Sequence, residues 1–261
     1  SSGSPLPFAS SYTNSWTAGA DTITGTSGRD MLNGGQGDDI IAGNGGIDVL
    51  QGGGGNDIIS VNASNITNFL APGSYWDGGI SQQGEINSLQ LNAAPNAMLD
   101  LTTVSAGNDL LAHIHNIERF DLNGNGSTLK FDIRSVLDTS SMGVFLGAGA
   151  NGETWSGSTW DPAYTTHPAT AGPLAGNVAK KQWVIDGDSS NTVDFEAFIS
   201  STQPGASPGL TGNWTLVGHV AHNDLHGVLQ NYNVYDFSGS NVEVIINQQV
   251  NRVHAGALPG W

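Results

Sequence analysis

The chain has 261 residues, no cysteine, 37 glycines, and 7 basic against 23 acidic residues, for a formal charge of −16. So few Lys and Arg cannot neutralise a phosphate backbone, which argues against a nucleic-acid partner. The lack of Cys removes disulfides and thiolate zinc sites, and no stretch approaches the ~20 apolar residues of a membrane span. At 38% apolar the chain can bury a core, but 11% charged residues are too few to cover many helices. The surplus carboxylates call for a cationic counterpart.

Residues 1–15 read as a linker. From 16 to 60 a nine-residue period runs through the chain. Its clearest copies are Gly34-Gly35-Gln36-Gly37-Asp38-Asp39-Ile40-Ile41-Ala42 and Gly52-Gly53-Gly54-Gly55-Asn56-Asp57-Ile58-Ile59-Ser60. The sixth position is Asp21, Asp30, Asp39, Asp48 and Asp57; the eighth is Ile23, Leu32, Ile41, Leu50 and Ile59. A glycine half can turn tightly with its carbonyls inward. A three-residue strand with one apolar side chain can fill the interior. Two units then make one turn of a right-handed parallel coil, with Asp21, Asp39 and Asp57 on one edge and Asp30 and Asp48 on the other. These carboxylates, with main-chain carbonyls of Gly34, Gln36, Gly43, Gly52 and Gly54, form an oxygen-only cage suited to several Ca²⁺ ions. A flexible glycine-rich linker would not keep Asp and Ile/Leu in phase through five copies. Over these residues the sequence resembles the RTX family of calcium-binding nonapeptide repeats, GGxGxDxUx. Trp76-Asp77-Gly78-Gly79 followed by Asn87-Ser88-Leu89 reads as a degenerate unit with an insertion, Asn87 standing in the Asp slot and capping the coil.

Residues 61–261 read as a second, β-rich module with at most one short helix, near 133–137. Strand-like runs fall at 89–91, 98–101, 117–122, 128–133, 183–185, 214–220, 232–237 and 242–246, separated by Gly/Asn/Ser turns. The fold class expected is all-β: a short parallel β-roll followed by an irregular β-sandwich-like domain with long loops. Motifs such as His115-Asn116-Ile117-Glu118-Arg119-Phe120-Asp121 and Trp183-Val184-Ile185-Asp186-Gly187-Asp188 resemble a module in the C-terminal regions of giant RTX adhesins secreted by type I machinery. That resemblance implies a monomeric module of a larger extracellular chain at the bacterial surface, active in adhesion and biofilm. Its ligand would be a peptide or protein C-terminus on another cell. A lectin-like glycan-binding module and a ligand-free spacer are the alternatives.

Two segments, 141–181 and 197–213, read as insertions, long enough to be functional or disordered. Trp155, Trp160 and Tyr164 in the first could stack on a sugar or wall a peptide groove, or pin the loop as a mini-core. Lys180 and Lys181 could attract an anionic ligand or simply be solvated. In Asp186-Gly187-Asp188-Ser189-Ser190-Asn191-Thr192-Val193-Asp194 the favoured reading is a non-EF calcium loop holding Asp186, Asp188 and Asp194, with an Asx-rich turn as the other. His113 and His115 read as polar surface.

Catalysis is not expected. His222 and His226 have the spacing of a metalloprotease pair without its Glu, and His219, His222 and His226 could at most bind zinc adventitiously. Gly205-Ala206-Ser207-Pro208-Gly209 matches a nucleophile elbow only formally, since Pro208 lacks the N–H that the oxyanion hole requires.

Overall fold

The structure, a computed structural model, describes residues 11–79, 85–92, 95–102, 112–139, 181–195, 214–237 and 242–253. In the roll the x-U-x triplets form β2 (Thr22–Thr24), β4 (Ile40–Ala42) and β6 (Ile58–Val61) on one face. The other face is made by β1 (Ser11–Thr17), β3 (Asp30–Gln36) and β5 (Val49–Gly54). Part of the stretch expected to be a linker, from Ser11 on, is therefore strand. The spacing of 18 residues predicted from the repeat is the observed register: Ile23 pairs with Ile41 and Ile41 with Ile59 on one face, Leu32 with Leu50 on the other. Each apolar side chain points inward because a strand alternates its faces with period two, and all five are buried. Gly53 shows why the turns need glycine. Its φ is +118°, and a Cβ there would fall 2.0 Å from the carbonyl oxygen of Gly35.

The coil does not end at the repeats. On the first face β8 (Ser88–Leu91) pairs in parallel with β6, and β11 (Arg119–Asp121) with β8. Next come β13 (Lys181–Asp186) on β11 and β17 (Val242–Asn247) on β13. One buried column thus runs Ile23, Ile41, Ile59, Leu89, Phe120, Ile185, Ile246 through that sheet. The second face continues through β7 (Tyr75–Gly79) to β10 (Ile114–His115), stacking Leu50, Trp76 and Ile114. A third sheet of β9 (Met98–Asp100), β12 (Thr128–Phe131), β14 (Thr192–Phe195) and β18 (Asn251–Val253) stacks Leu99, Leu129 and Val193.

Among the described residues the all-β reading holds, as a parallel roll leading into a β-rich part. The detail of that part differs from a sandwich: it widens the roll into a three-faced parallel solenoid. Antiparallel pairing enters only at the far end, where β15 (Trp214–Asn223) and β16 (Leu229–Phe237) form a hairpin and β16 lies on β17. The helix expected near 133–137 is α2 (Ile133–Thr139). A second, α1 (Ala63–Thr67), was not read from the sequence. It starts at a capping box in which Asn62 accepts from the N–H groups of Ser64 and Asn65, and Asn65 accepts in turn from the N–H of Asn62.

The wide end has an aromatic core. Trp183 lies 4.5 Å from Phe120 and 5.2 Å from Phe131 between ring centroids, and Phe131 meets both Phe195 and Trp214. Trp183 is fully buried. Trp183→Ala should therefore cost about 3–5 kcal/mol of unfolding free energy, measured by urea denaturation in saturating calcium.

Candidate metal centre

The two edges of the roll carry the aspartates in two rows. In each row the Oδ1 of one aspartate accepts the main-chain N–H of the aspartate one coil before it: Asp39 from Asp21 at 2.8 Å, Asp57 from Asp39 at 2.9 Å, and Asp48 from Asp30 at 2.9 Å. The first row goes on. Asn87 Oδ1 accepts from the N–H of Asp57 at 3.0 Å, so Asn87 does stand in the Asp slot, and Glu118 Oε2 accepts from the N–H of Asn87 at 2.9 Å. Glu118 is a rung that the nonapeptide pattern could not reveal, because the insertion before it breaks the period. The only signal for it is an acidic residue just ahead of a strand.

The inner oxygens differ from rung to rung. Oδ2 of Asp39 and of Asp57 are fully buried and meet no hydrogen-bond donor. A Cβ on Gly34 would fall 2.3 Å from Asp39 Oδ2 and 2.6 Å from the Gly52 carbonyl oxygen. One on Gly52 would fall 2.4 Å from Asp57 Oδ2 and 2.3 Å from the Gly78 carbonyl oxygen. Each glycine thus lets a bare carboxylate oxygen and a carbonyl oxygen of the next coil approach the same small space. Hard oxygens without donors are what a calcium ion takes, so the residues present fit the ion. Among the described residues no group of three or more His, Asp or Glu gathers as a metal cluster. The set is one carboxylate per rung completed by main-chain oxygens.

On the second row Asp30 Oδ2 accepts from the Thr26 N–H at 2.6 Å, and Asp48 Oδ2 from Asn65 Nδ2 at 2.7 Å. The Gly43 carbonyl oxygen lies beside Asp30 Oδ2 at Gly25. Asp21 is half-buried, with its Oδ2 bound by the Thr17 hydroxyl. The Gly54 carbonyl accepts from the N–H of Gly37 at 2.7 Å, and the Gln36 side-chain amide packs over Gly54.

The second expected calcium loop is not assembled. Asp186 is buried, with Oδ2 2.6 Å from Arg119 Nε and Oδ1 accepting from the Tyr232 hydroxyl at 2.6 Å. Asp188 closes an Asx turn on Ser190, accepting from its N–H at 2.8 Å and its hydroxyl at 2.6 Å. Asp194 lies on β14, and Asn191 plugs the corner by bonding the Leu122 carbonyl and the Gly124 and Asp188 N–H groups. A buried arginine thus supplies the positive charge that a cation would have brought.

Trp155, Trp160, Tyr164 and Lys180 lie outside the described residues, as does the 197–213 insertion. Lys181 begins β13 and its ammonium donates to the Leu137 carbonyl, which ties it to α2. His222 and its neighbours sit on a hairpin, not a helix. His219 bonds Asn233, His222 bonds the Asn223 carbonyl and His226 lies 3.1 Å from Asp121, so they do not converge on a metal. Burial pushes the His222 ring down to about 4. His113 is buried, bonding the Ser74 carbonyl at 2.8 Å and packing against Phe69, which corrects its reading as polar surface.

Burial raises the carboxyls of Asp39, Asp48 and Asp57, Asp48 to about 6 and Asp57 to about 7, with neighbouring carboxylates adding to the rise. The unfolded value is about 4. The folded state therefore holds more protons than the unfolded state between about pH 4 and about pH 7, and stability falls with rising pH across that window. In chelator the chain should melt at the highest temperature near about pH 4 and lose stability by about pH 7. Calcium at neutral pH should restore it, in thermal scans followed by circular dichroism.

One family model matches the chain: the RTX calcium-binding nonapeptide repeat (4 copies), over residues 17–50 and 33–65. No curated protein and no solved structure matches it. The matched span holds the stacked aspartates and the glycine cradles, and stops before Asn87. Residues 17–65 are RTX calcium-binding repeats, and a longer parallel solenoid grows from them.

Proposed function

We propose that this chain is a calcium-dependent extracellular adhesion module. RTX repeats bind Ca²⁺, and the proteins that carry them are typically secreted. The observation that carries the reading is the buried, donorless pair of oxygens on Asp39 and Asp57, which leaves two desolvated carboxylates uncompensated until a cation arrives. Calcium closes the roll, and β6 and β7 offer the edges on which β8 and β10 form, with β11 then forming on β8. In calcium-poor cytosol the chain stays unfolded for type I export; outside the cell it folds.

The folded solenoid carries two long insertions, one between Thr139 and Lys181 and one between Phe195 and Trp214. The ligand in this reading is a peptide or protein C-terminus on another cell, with Trp155, Trp160 and Tyr164 as the side chains that contact it. The module binds and does not turn over its ligand. Labelled protein in millimolar calcium should bind arrays of free C-terminal peptides, and amidation of those ends should abolish binding. Trp155→Ala with Trp160→Ala should abolish binding while the circular dichroism spectrum stays folded. Hits on glycans instead would make it a lectin, and a folded protein with no hits would leave a calcium-stiffened spacer.

A further inference from the structure

The two edges of the roll are not equivalent. Along Asp39 and Asp57 the inner carboxylate oxygens are buried and donorless. Along Asp30 and Asp48 the same oxygens are already bound: Thr26 gives Asp30 its N–H at 2.6 Å and its hydroxyl at 3.0 Å, and Asn65 gives Asp48 an amide N–H at 2.7 Å. The Asn65 orientation is not arbitrary. Its Oδ1 is needed by the N–H groups of Gly45 and Asn62, at 3.0 and 3.2 Å, so its NH₂ must face Asp48. The α1 capping box fixes that pose, and Asn65 is buried. The donor therefore sits where the facing edge has none.

We propose that calcium loads only the Asp39–Asp57 edge of the roll, and that Asn65 and Thr26 replace the ion on the Asp30–Asp48 edge. A charge argument supports the same division. Arg29 is the only basic residue before position 119. Its guanidinium lies beside Gly73, where a Cβ would fall 2.5 Å from Nη2, and its charge acts on Asp48. The protein's own cation thus serves the edge that also has its own donors. The loaded edge ends at Asn87. Its Oδ1 accepts from the N–H of Asp57, and an amide brings no negative charge to an ion beyond it. This rests on the calcium-dependent reading above and sharpens it.

The test is tightly bound calcium per full-length chain, by equilibrium dialysis and atomic emission, for the wild type, Asp57→Asn and Asp48→Asn, each checked for folding by circular dichroism in saturating calcium. Asp57→Asn should lose calcium, while Asp48→Asn should keep the wild-type content. If Asp48→Asn does not fold, the exchange Asp48→Asn with Asn65→Asp is read in its place, since it keeps the amide–carboxylate pair with its ends reversed. An equal loss of calcium from the Asp48 variant and from Asp57→Asn overturns the one-edge assignment alone. A wild-type chain that binds no calcium overturns the calcium-dependent reading itself.

Discussion

Everything in this fold hangs on a carboxylate accepting the main-chain N–H of the coil before it. That bond repeats from Asp39 to Asp21, Asp57 to Asp39 and Asp48 to Asp30, and an amide and a glutamate extend it at Asn87 and Glu118. It satisfies a backbone donor at the corner of each coil, where no strand partner can reach, and a charge-assisted bond of this kind is stronger than a neutral one. It also fixes register, because each side chain reaches one particular N–H one coil away. The cost is a file of desolvated carboxylates along each edge, with like charges stacked. A roll whose interior is one Ile or Leu per strand has little apolar burial with which to offset that. A divalent cation, which RTX repeats bind, is the counter-charge such a file calls for.

The same register then does a second task. Because Leu89 stacks on Ile59, and Phe120, Ile185 and Ile246 stack in turn, the roll hands its interior column to the wider solenoid without a break. As the coils lengthen, the interior changes from single aliphatic side chains to the Phe120, Phe131, Trp183, Phe195 and Trp214 cluster. A parallel sheet with an open end would expose unpaired backbone groups. Here the narrow end of the wide part is covered by the roll, and at the far end the antiparallel hairpin of β15 and β16 extends the first sheet beyond β17.

How much of this the sequence could tell follows from where its period is intact. With a fixed separation of 18 residues, sequence alone places Ile23 over Ile41 and Asp39 over Asp57. Once insertions stretch the separation to 30 between Asp57 and Asn87, then 31 to Glu118, the strands remain visible as apolar runs but their partners do not. A strand pattern says which residues point inward; it does not say which strand lies alongside. That is why the second half read as an irregular β-sandwich-like domain, although most of its strands stack in parallel. The site shows the same divide. The aspartate positions were legible, but which inner oxygens already had donors depended on Asn65, brought in by a five-residue helix, and on the Thr26 backbone. Asp186 was legible as an acid with a counter-charge to find and was read as a calcium ligand, because its partner Arg119 is 67 residues away in sequence.

The few basic residues are placed unevenly between the two halves. Beyond the repeats, buried acids are matched internally: Asp186 by Arg119 at 2.6 Å, and Asp132 by Arg134 at 2.9 Å. Removing one partner from such a pair would strand a buried charge, so each pair specifies its own geometry. The roll has one arginine for its stacked aspartates. An arginine side chain is too large to sit in a space that a glycine Cα, a carboxylate and a carbonyl already crowd to within a Cβ's contact distance. A bare divalent ion is not, and along the Asp39–Asp57 edge it would bring two charges to oxygens that meet no hydrogen-bond donor. The glycines that make the tight turn there also keep a bulky side-chain counter-charge out of the cradle.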